Sequence, residues 1–262
     1  EVSAGSTDGI NGSQLHATNE SVKDLSTTVV ANKTHFYSVN STDSTRGNYN
    51  NNGATGVDAM AAGIDASATG ENATALGTKS NAEGTRSTAI GYQAQAKDRN
   101  AIALGYQANA HQKHSTAIGY AANAGYAAIA IGDAATATKK GSTAIGSQSV
   151  STDVYSTALG REAKALEKNT VAVGYSTTAS GESSVAIGDG AKASGVNSIA
   201  IGTGNIVNGD NSGAFGDPNI ISGTGSYAVG NNNNIANNNT FVLGNNVGTT
   251  QDNSVVLGHL ST

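Results

Sequence analysis

The chain predicts an all-β parallel solenoid, a stack of fourteen-residue coils. Three observations predict it: a glycine that returns every fourteen residues, a fixed order of small and large residues around it, and too few bulky side chains for an ordinary globule. The glycines are Gly63, Gly77, Gly91, Gly105, Gly119, Gly132, Gly146, Gly160, Gly174, Gly188, Gly202, Gly216, Gly230, Gly244 and Gly258. Only the step from Gly119 to Gly132 is short, by one residue. A fixed period of this length marks repeats that each form one turn and bury their surface against their neighbours.

Composition agrees. Hydrophobic residues make up 37% of 262, Trp is absent and Phe numbers three. Ala, Ser, Thr, Asn and Gly dominate, so stability has to come from backbone ladders that run the length of a stack. Disorder is the other reading of such a composition, but disorder needs no period. Without Cys there is no disulfide stapling. A net charge of −5 is too mild to imply a nucleic-acid or membrane partner. No stretch reads as a transmembrane helix or a signal peptide. Glu1 is not an initiator, so a piece of a longer protein is expected.

Within one repeat, positions have separate jobs. The residue before the glycine is large and apolar in all but one coil (Ala62): Leu76, Ile90, Leu104, Ile118, Ile131, Ile145, Leu159, Val173, Ile187, Ile201, Phe215, Val229, Leu243 and Leu257. Two before it stands Ala, then Val242 and Val256 in the last two coils. Four before it is always Ala, Ser or Thr. This predicts a four-residue strand such as Ser87-Thr88-Ala89-Ile90, closed by a glycine turn. A second short strand follows with small residues three and five after the glycine, as in Ala94 and Ala96. Polar turn-formers such as Lys97-Asp98-Arg99-Asn100 complete the coil. At about 4.8 Å per coil, fourteen steps give a rod of roughly 65–70 Å.

Alternation then decides the assembly. Strand side chains point to opposite faces with period two. If the small residues fill a thin interior, the Ile/Leu/Val column must point out, and so long an apolar stripe exceeds what a soluble monomer exposes. It is expected to pack against other copies around a parallel axis with closed symmetry. The opposite phasing, the monomeric alternative, would leave one Ile per coil as the core. From Gly202 onward the pattern shifts: Asn205, Asn219 and Asn233 pair with Val207, Ile221 and Ile235. Asn ladders along the stack and a wider coil are expected there.

The N-terminal residues read differently. Leu15, Thr18, Val22, Leu25, Val29 and Asn32 fall on a heptad seam, too short to stand alone. Asn32 reads as a register device, or as a ligand for an ion on the symmetry axis. Thr34 to Gly56 is polar and Asn-rich, with His35-Phe36-Tyr37 its bulky cluster, and reads as a connector that caps the first coil.

The Ser-Val-Ala-Ile-Gly and Ser-Thr-Ala-Ile-Gly strands at fourteen-residue spacing resemble the YadA-like head of trimeric autotransporter adhesins. Residues 8–19 look like a neck that leads from a head into a stalk. Gly244-Asn245-Asn246-Val247, with residues 252–258, looks like the start of another neck. The organisation expected is a neck end and short coiled coil at 1–33, a connector at 34–56, a β-roll head at 57–244 and the start of the next neck at 245–262. The resemblance implies a left-handed parallel β-roll, a homotrimer, and a place on the outer surface of a Gram-negative bacterium, held by a membrane anchor outside this chain. It implies adhesion to host matrix proteins, cells, other bacteria or abiotic surfaces. Thr74, Thr88, Thr116, Thr143 and Thr157 stand where the family pattern has Val, which makes that column half-polar.

No catalytic constellation or cofactor site is read from the chain. His111 and His114 are the one close His pair and lie in a polar turn, read as a solvated loop rather than a metal site. Two surface features are candidates for adhesion. Tyr92, Tyr106 and Tyr120 share one offset in successive coils and should form a ladder, either an adhesive surface or a seam between subunits. Residues 97–168 carry eight basic and five acidic residues. The basic ones are Lys97, Arg99, Lys113, Lys139, Lys140, Arg161, Lys164 and Lys168, in or near turns, either a band for acidic partners or glycans or simply solvated turns. An adhesin head is the leading function. Immunoglobulin or serum-factor capture and a spacer that displays another module are the alternatives.

Overall fold

The computed structural model describes residues 9–32, 38–248 and 251–260. The chain divides into two compact units, Glu1–Ser41 and Thr42–Thr262.

The first unit holds one α-helix, Gly12–Ala31. Asn11 starts it with a capping box: its side chain accepts the Gln14 N–H at 3.0 Å, and the Gln14 side chain accepts the Asn11 N–H at 3.0 Å. The helix buries none of its residues, and the seam residues Leu15, Val22, Leu25 and Val29 are exposed. Asn32 ends the helix as its C-cap. His35-Phe36-Tyr37 lies outside the described residues.

The second unit is the parallel β-solenoid that the glycine period predicts. One coil serves for all. A strand Thr88–Ile90 meets Gly91 at φ +126°, where a Cβ would be strained; the chain turns through Gln93, runs as the short strand Gln95–Ala96, and turns again through Asn100. The first strand is three residues rather than four, because Ser87 already lies in the turn, though its side chain faces inward. Equivalent strands pair in parallel from coil to coil. Among the described residues they form a fifteen-stranded sheet of the longer strands and a thirteen-stranded sheet of the shorter ones. Register is one coil per step, as in Ala75 on Ala89 and Leu76 on Ile90.

The thirteen-residue coil keeps this register, with Ile129 beside Thr116 on one side and Thr143 on the other. The missing residue therefore comes out of the turn at Gly125–Ala128. At Gly125 a Cβ would meet the Thr138 carbonyl oxygen at 2.2 Å, the same close approach that the turn glycines Gly70 and Gly84 make in full-length coils.

Small side chains fill the interior. Ser87, Ala89, Ala94 and Ala96 are all wholly buried, and their counterparts repeat this up the stack. The core is thin because two strands of one coil face each other across alanines. Toward the C-terminus Val207, Ile221 and Ile235 replace alanine inside, with Asn205, Asn219 and Asn233 buried beside them. Each Asn reaches the next: Asn219 Nδ2 donates to Asn205 Oδ1 at 3.0 Å and Asn233 Nδ2 to Asn219 Oδ1 at 2.9 Å.

Residues 42–56 close the N-terminal end of the stack. Thr55 N–H donates to the Ala68 carbonyl at 2.9 Å, and Asn48 Nδ2 donates to the Gly63 carbonyl at 3.1 Å. The Arg46 guanidinium pairs with the Asp65 carboxylate, which also accepts the Gly47 N–H at 2.7 Å. At the other end, strand Phe241–Asn245 pairs in parallel with Val255–His259 over five residues.

Candidate functional site

The two sheets present different chemistry to the outside. Along the long-strand sheet the residue before each glycine points outward, so that Ala75 is wholly buried while its neighbour Leu76 is 40% exposed. Leu104, Leu159, Ile187, Val229 and Leu243 stand in the same open column. The column two residues earlier adds Met60, Ile102, Ile129 and Phe241, interrupted by the threonines. Ile90, Ile118, Ile131, Ile145, Val173 and Ile201 are half-buried between their column neighbours. Outside the short-strand sheet, the corresponding column runs Ser67, Asn81, Gln95, Asn109, Asn123 and Thr136. The long-strand face is the more apolar of the two, while the short-strand column stays polar through Thr136 and then admits Val150, Ile206 and Ile220 among Lys164, Thr178 and Lys192. A period-two strand with alanine as its inward residue leaves no other place for the large side chains.

The tyrosines form the ladder their spacing predicts. Ring centroids of Tyr92 and Tyr106 are 5.3 Å apart, those of Tyr106 and Tyr120 5.1 Å, and both pairs are stacked. They lie in the turn just after the glycine, and all three are exposed. Tyr175 occupies the same offset further along, under the Arg161 guanidinium at 5.5 Å.

The eight basic residues do not gather into one patch. Arg99, Lys113, Lys140 and Lys168 share one column on the opposite turn, with Tyr126 and Val154 between them. Backbone bonds fix that column: His114 N–H to the Arg99 carbonyl at 2.9 Å, Ala127 to Lys113 at 2.9 Å, Gly141 to Tyr126 at 3.1 Å, Tyr155 to Lys140 at 3.1 Å. Lys97 and Lys139 belong to the same turn. Lys164 lies instead in a strand of the short-strand sheet, on a shallow depression with Gln148, Glu162, Ser176 and Thr178. Arg161 pairs with Glu162 at 2.8 Å on the tyrosine side.

His111 and His114 sit in the basic turn. His114 Nδ1 lies 3.3 Å from Asn100 Nδ2, and the buried His111 Nδ1 has no hydrogen-bond partner. Among the described residues no group of three or more His, Cys, Asp or Glu is placed to hold a metal ion. No helix among them is long and apolar enough to cross a membrane.

The periodic pattern hid two left-handed residues in every coil but the one at Gly216. One stands two after the glycine (Asp65, Lys79, Gln93, Gln107) and one five before it (Asn72, Asn100, Asn169, Asn197). The second position was readable, because Asn tolerates that conformation best among non-glycine residues and recurs there. Pro218 cannot adopt it, and the turn after Gly216 is a bend with no left-handed residue.

A family model described as the YadA head domain repeat (2 copies) matches residues 54–80, 82–108, 99–122, 124–149, 137–163, 151–177, 165–191, 179–205 and 193–217. No curated protein matches the chain.

Proposed function

The chain belongs to the family of YadA head domain repeats, and on that premise we propose that it is the head of a trimeric autotransporter adhesin. An adhesin-type role on the cell surface comes with the family. The finer reading is that three copies pack their long-strand sheets together and carry a polar, repetitive outer surface. That surface attaches a Gram-negative bacterium to matrix proteins or host cells and lets bacteria aggregate. The observation that carries this reading is the apolar column beginning at Leu76 and Leu104, open along the length of the rod. Burying it against other copies removes apolar area from water at about 25 cal/mol per Å². An outer-membrane anchor beyond this chain would hold the rod, so the head itself needs no contact with lipid.

Within this reading the exposed tyrosines Tyr92, Tyr106 and Tyr120 and the basic turn residues are the proposed adhesive contacts, and the coil glycines and the Ile/Leu/Val column are structural. No chemistry is assigned: the coils are filled with alanine, and the depression beside Lys164, lined by Gln148, Glu162, Ser176 and Thr178, is shallow and forms no cleft where nucleophile, base and substrate meet. The family's heads are non-enzymatic in general.

Binding of the purified chain to immobilised collagen, fibronectin, laminin and immunoglobulin tests the proposal. Saturable binding to a matrix protein supports attachment. Binding to immunoglobulin alone favours serum-factor capture, and binding to none of them favours a spacer.

A further inference from the structure

We propose that the turn edge bearing Arg99, Lys113, Tyr126 and Lys140 is a track for a linear sulfated polysaccharide lying along the rod. The inference names a partner chemistry for the attachment role and rests on that reading.

The first support is continuity. These residues occupy one column in four successive coils, held by the coil-to-coil backbone bonds that follow Arg99, Lys113 and Tyr126. Coils about 4.8 Å apart spread the four positions over roughly 14 Å, a span over which a chain of regularly spaced anionic groups can meet every cation. Lys97 and Lys139 widen the same edge, and all six residues are exposed.

The second is that these cations are not consumed internally. Among the described residues, none of Lys97, Arg99, Lys113, Lys139 and Lys140 takes part in an ion pair, whereas Arg161 and Lys168 do. The carboxylate nearest in sequence, on Asp98, accepts the backbone N–H of Arg99 at 2.7 Å and so braces its own turn. Lys140 stands 5.9 Å from the Tyr155 ring, a contact that leaves its charge unneutralised.

The third is the short coil. Its deletion falls between Ala124 and Gly125, and the exposed Tyr126 ring lies between Lys113 and Lys140 with one neighbour fewer on its own turn. Cations at the ends and an amphipathic ring in the middle suit a sugar chain: the ring takes the apolar face of a pyranose and the cations take sulfates.

The column also has an end. Lys168 meets Glu182 at 3.8 Å, and beyond that point Asp210 and Asp252 accept the backbone N–H groups of Val196 and Asn238. The charge along one edge therefore reverses. Stacked cations repel an identical column, which argues against burial of this edge between parallel copies. A single narrow column of cations fits one linear chain better than the two phosphate strands of a duplex.

The test is surface binding of the complete chain to heparin-type polysaccharide, with circular dichroism to show that each variant stays folded. The triple change Arg99→Ser, Lys113→Ser, Lys140→Ser should weaken binding about tenfold or more and flatten its salt dependence, as expected when fewer counterions are released. Tyr126→Ala should weaken binding while leaving the salt slope unchanged. Lys164→Ser with Lys192→Ser, on the short-strand sheet, should change it by less than about twofold, because net charge alone acts through steering rather than contact. The track is overturned if that control pair weakens binding as much as the triple change, or if the desulfated polymer binds equally. Duplex DNA binding more tightly through the same residues, or the triple change dissolving contacts between chains in sedimentation, would assign the edge to another partner and overturn it too. Attachment to cells stripped of sulfated glycans, with no polymer binding, removes this inference alone. Polymer binding without attachment to any matrix protein or cell removes the attachment reading instead.

Discussion

The Asn219 side-chain amide donates to the Asn205 side-chain oxygen one coil away at 3.0 Å, inside the solenoid and out of reach of water. The same Asn205 oxygen accepts the Asn219 backbone N–H at 2.7 Å, and Asn219 Nδ2 also donates to the Gly230 carbonyl at 2.8 Å. Buried amides are tolerated here because the stack returns an identical partner at each step. Asn219→Ala would strip partners from the Asn233 amide as well as from the Gly230 carbonyl. A loss of about 3 kcal/mol is expected, since each orphaned buried group costs about 1–3 kcal/mol. Denaturant unfolding measures it; a change within experimental error would mean that the ladder contributes nothing.

Two glycines should respond in opposite ways to substitution. Gly105 has φ +133°, and a Cβ there would stand 2.5 Å from the carbonyl oxygen of Gly119 in the next coil. Backbone cannot move aside without breaking the pairing, so Gly105→Ala should destabilise by more than about 2 kcal/mol or prevent folding. Gly190 has φ +64°, and nothing lies within 4 Å of where its Cβ would stand. Gly190→Asn should therefore leave the melting temperature nearly unchanged, as Asn accepts that conformation. Equal effects from the two would contradict the stacking account of the period.

The N-terminal cap should respond to acid. The Arg46 side chain, bonded to the Asp65 carboxylate, holds that carboxyl below the usual range. A carboxyl depressed in the folded state stabilises it above its unfolded pKa of about 3.9, and that contribution fades as pH falls through the folded value. Protection of the first coil's amides, read by hydrogen exchange at pH 6 and pH 3, should drop in the wild-type chain. In Asp65→Asn the drop should be smaller, because the cap has already lost its ion pair at both values.

Much of the fold was legible in the chain because a solenoid writes its geometry into its period. Alanine two before each glycine and a large apolar residue one before it can satisfy a period-two strand in one way, and Ala75 and Leu76 obey it. The buried Asn ladder was legible for the same reason. The left-handed residues at Gln93 and Lys79 were not, because neither residue type advertises that conformation and the stack imposes it. Nor was the ion pair that ties the connector to the first coil: Arg46 and Asp65 stand nineteen positions apart with no pattern linking them. The basic residues looked like one band in sequence, yet the coil sorts Lys113, Arg161 and Lys164 onto three different sides of the rod, a separation that only the offset within each repeat encodes.

The open Ile/Leu/Val column is the centre of the account, and the mass of the particle in solution tests it most directly. Sedimentation equilibrium of the purified chain at micromolar concentration should give a particle three times the 25.9 kDa chain mass. A stable, folded species at the mass of one chain, with Leu76 and Leu104 left in water, would contradict it.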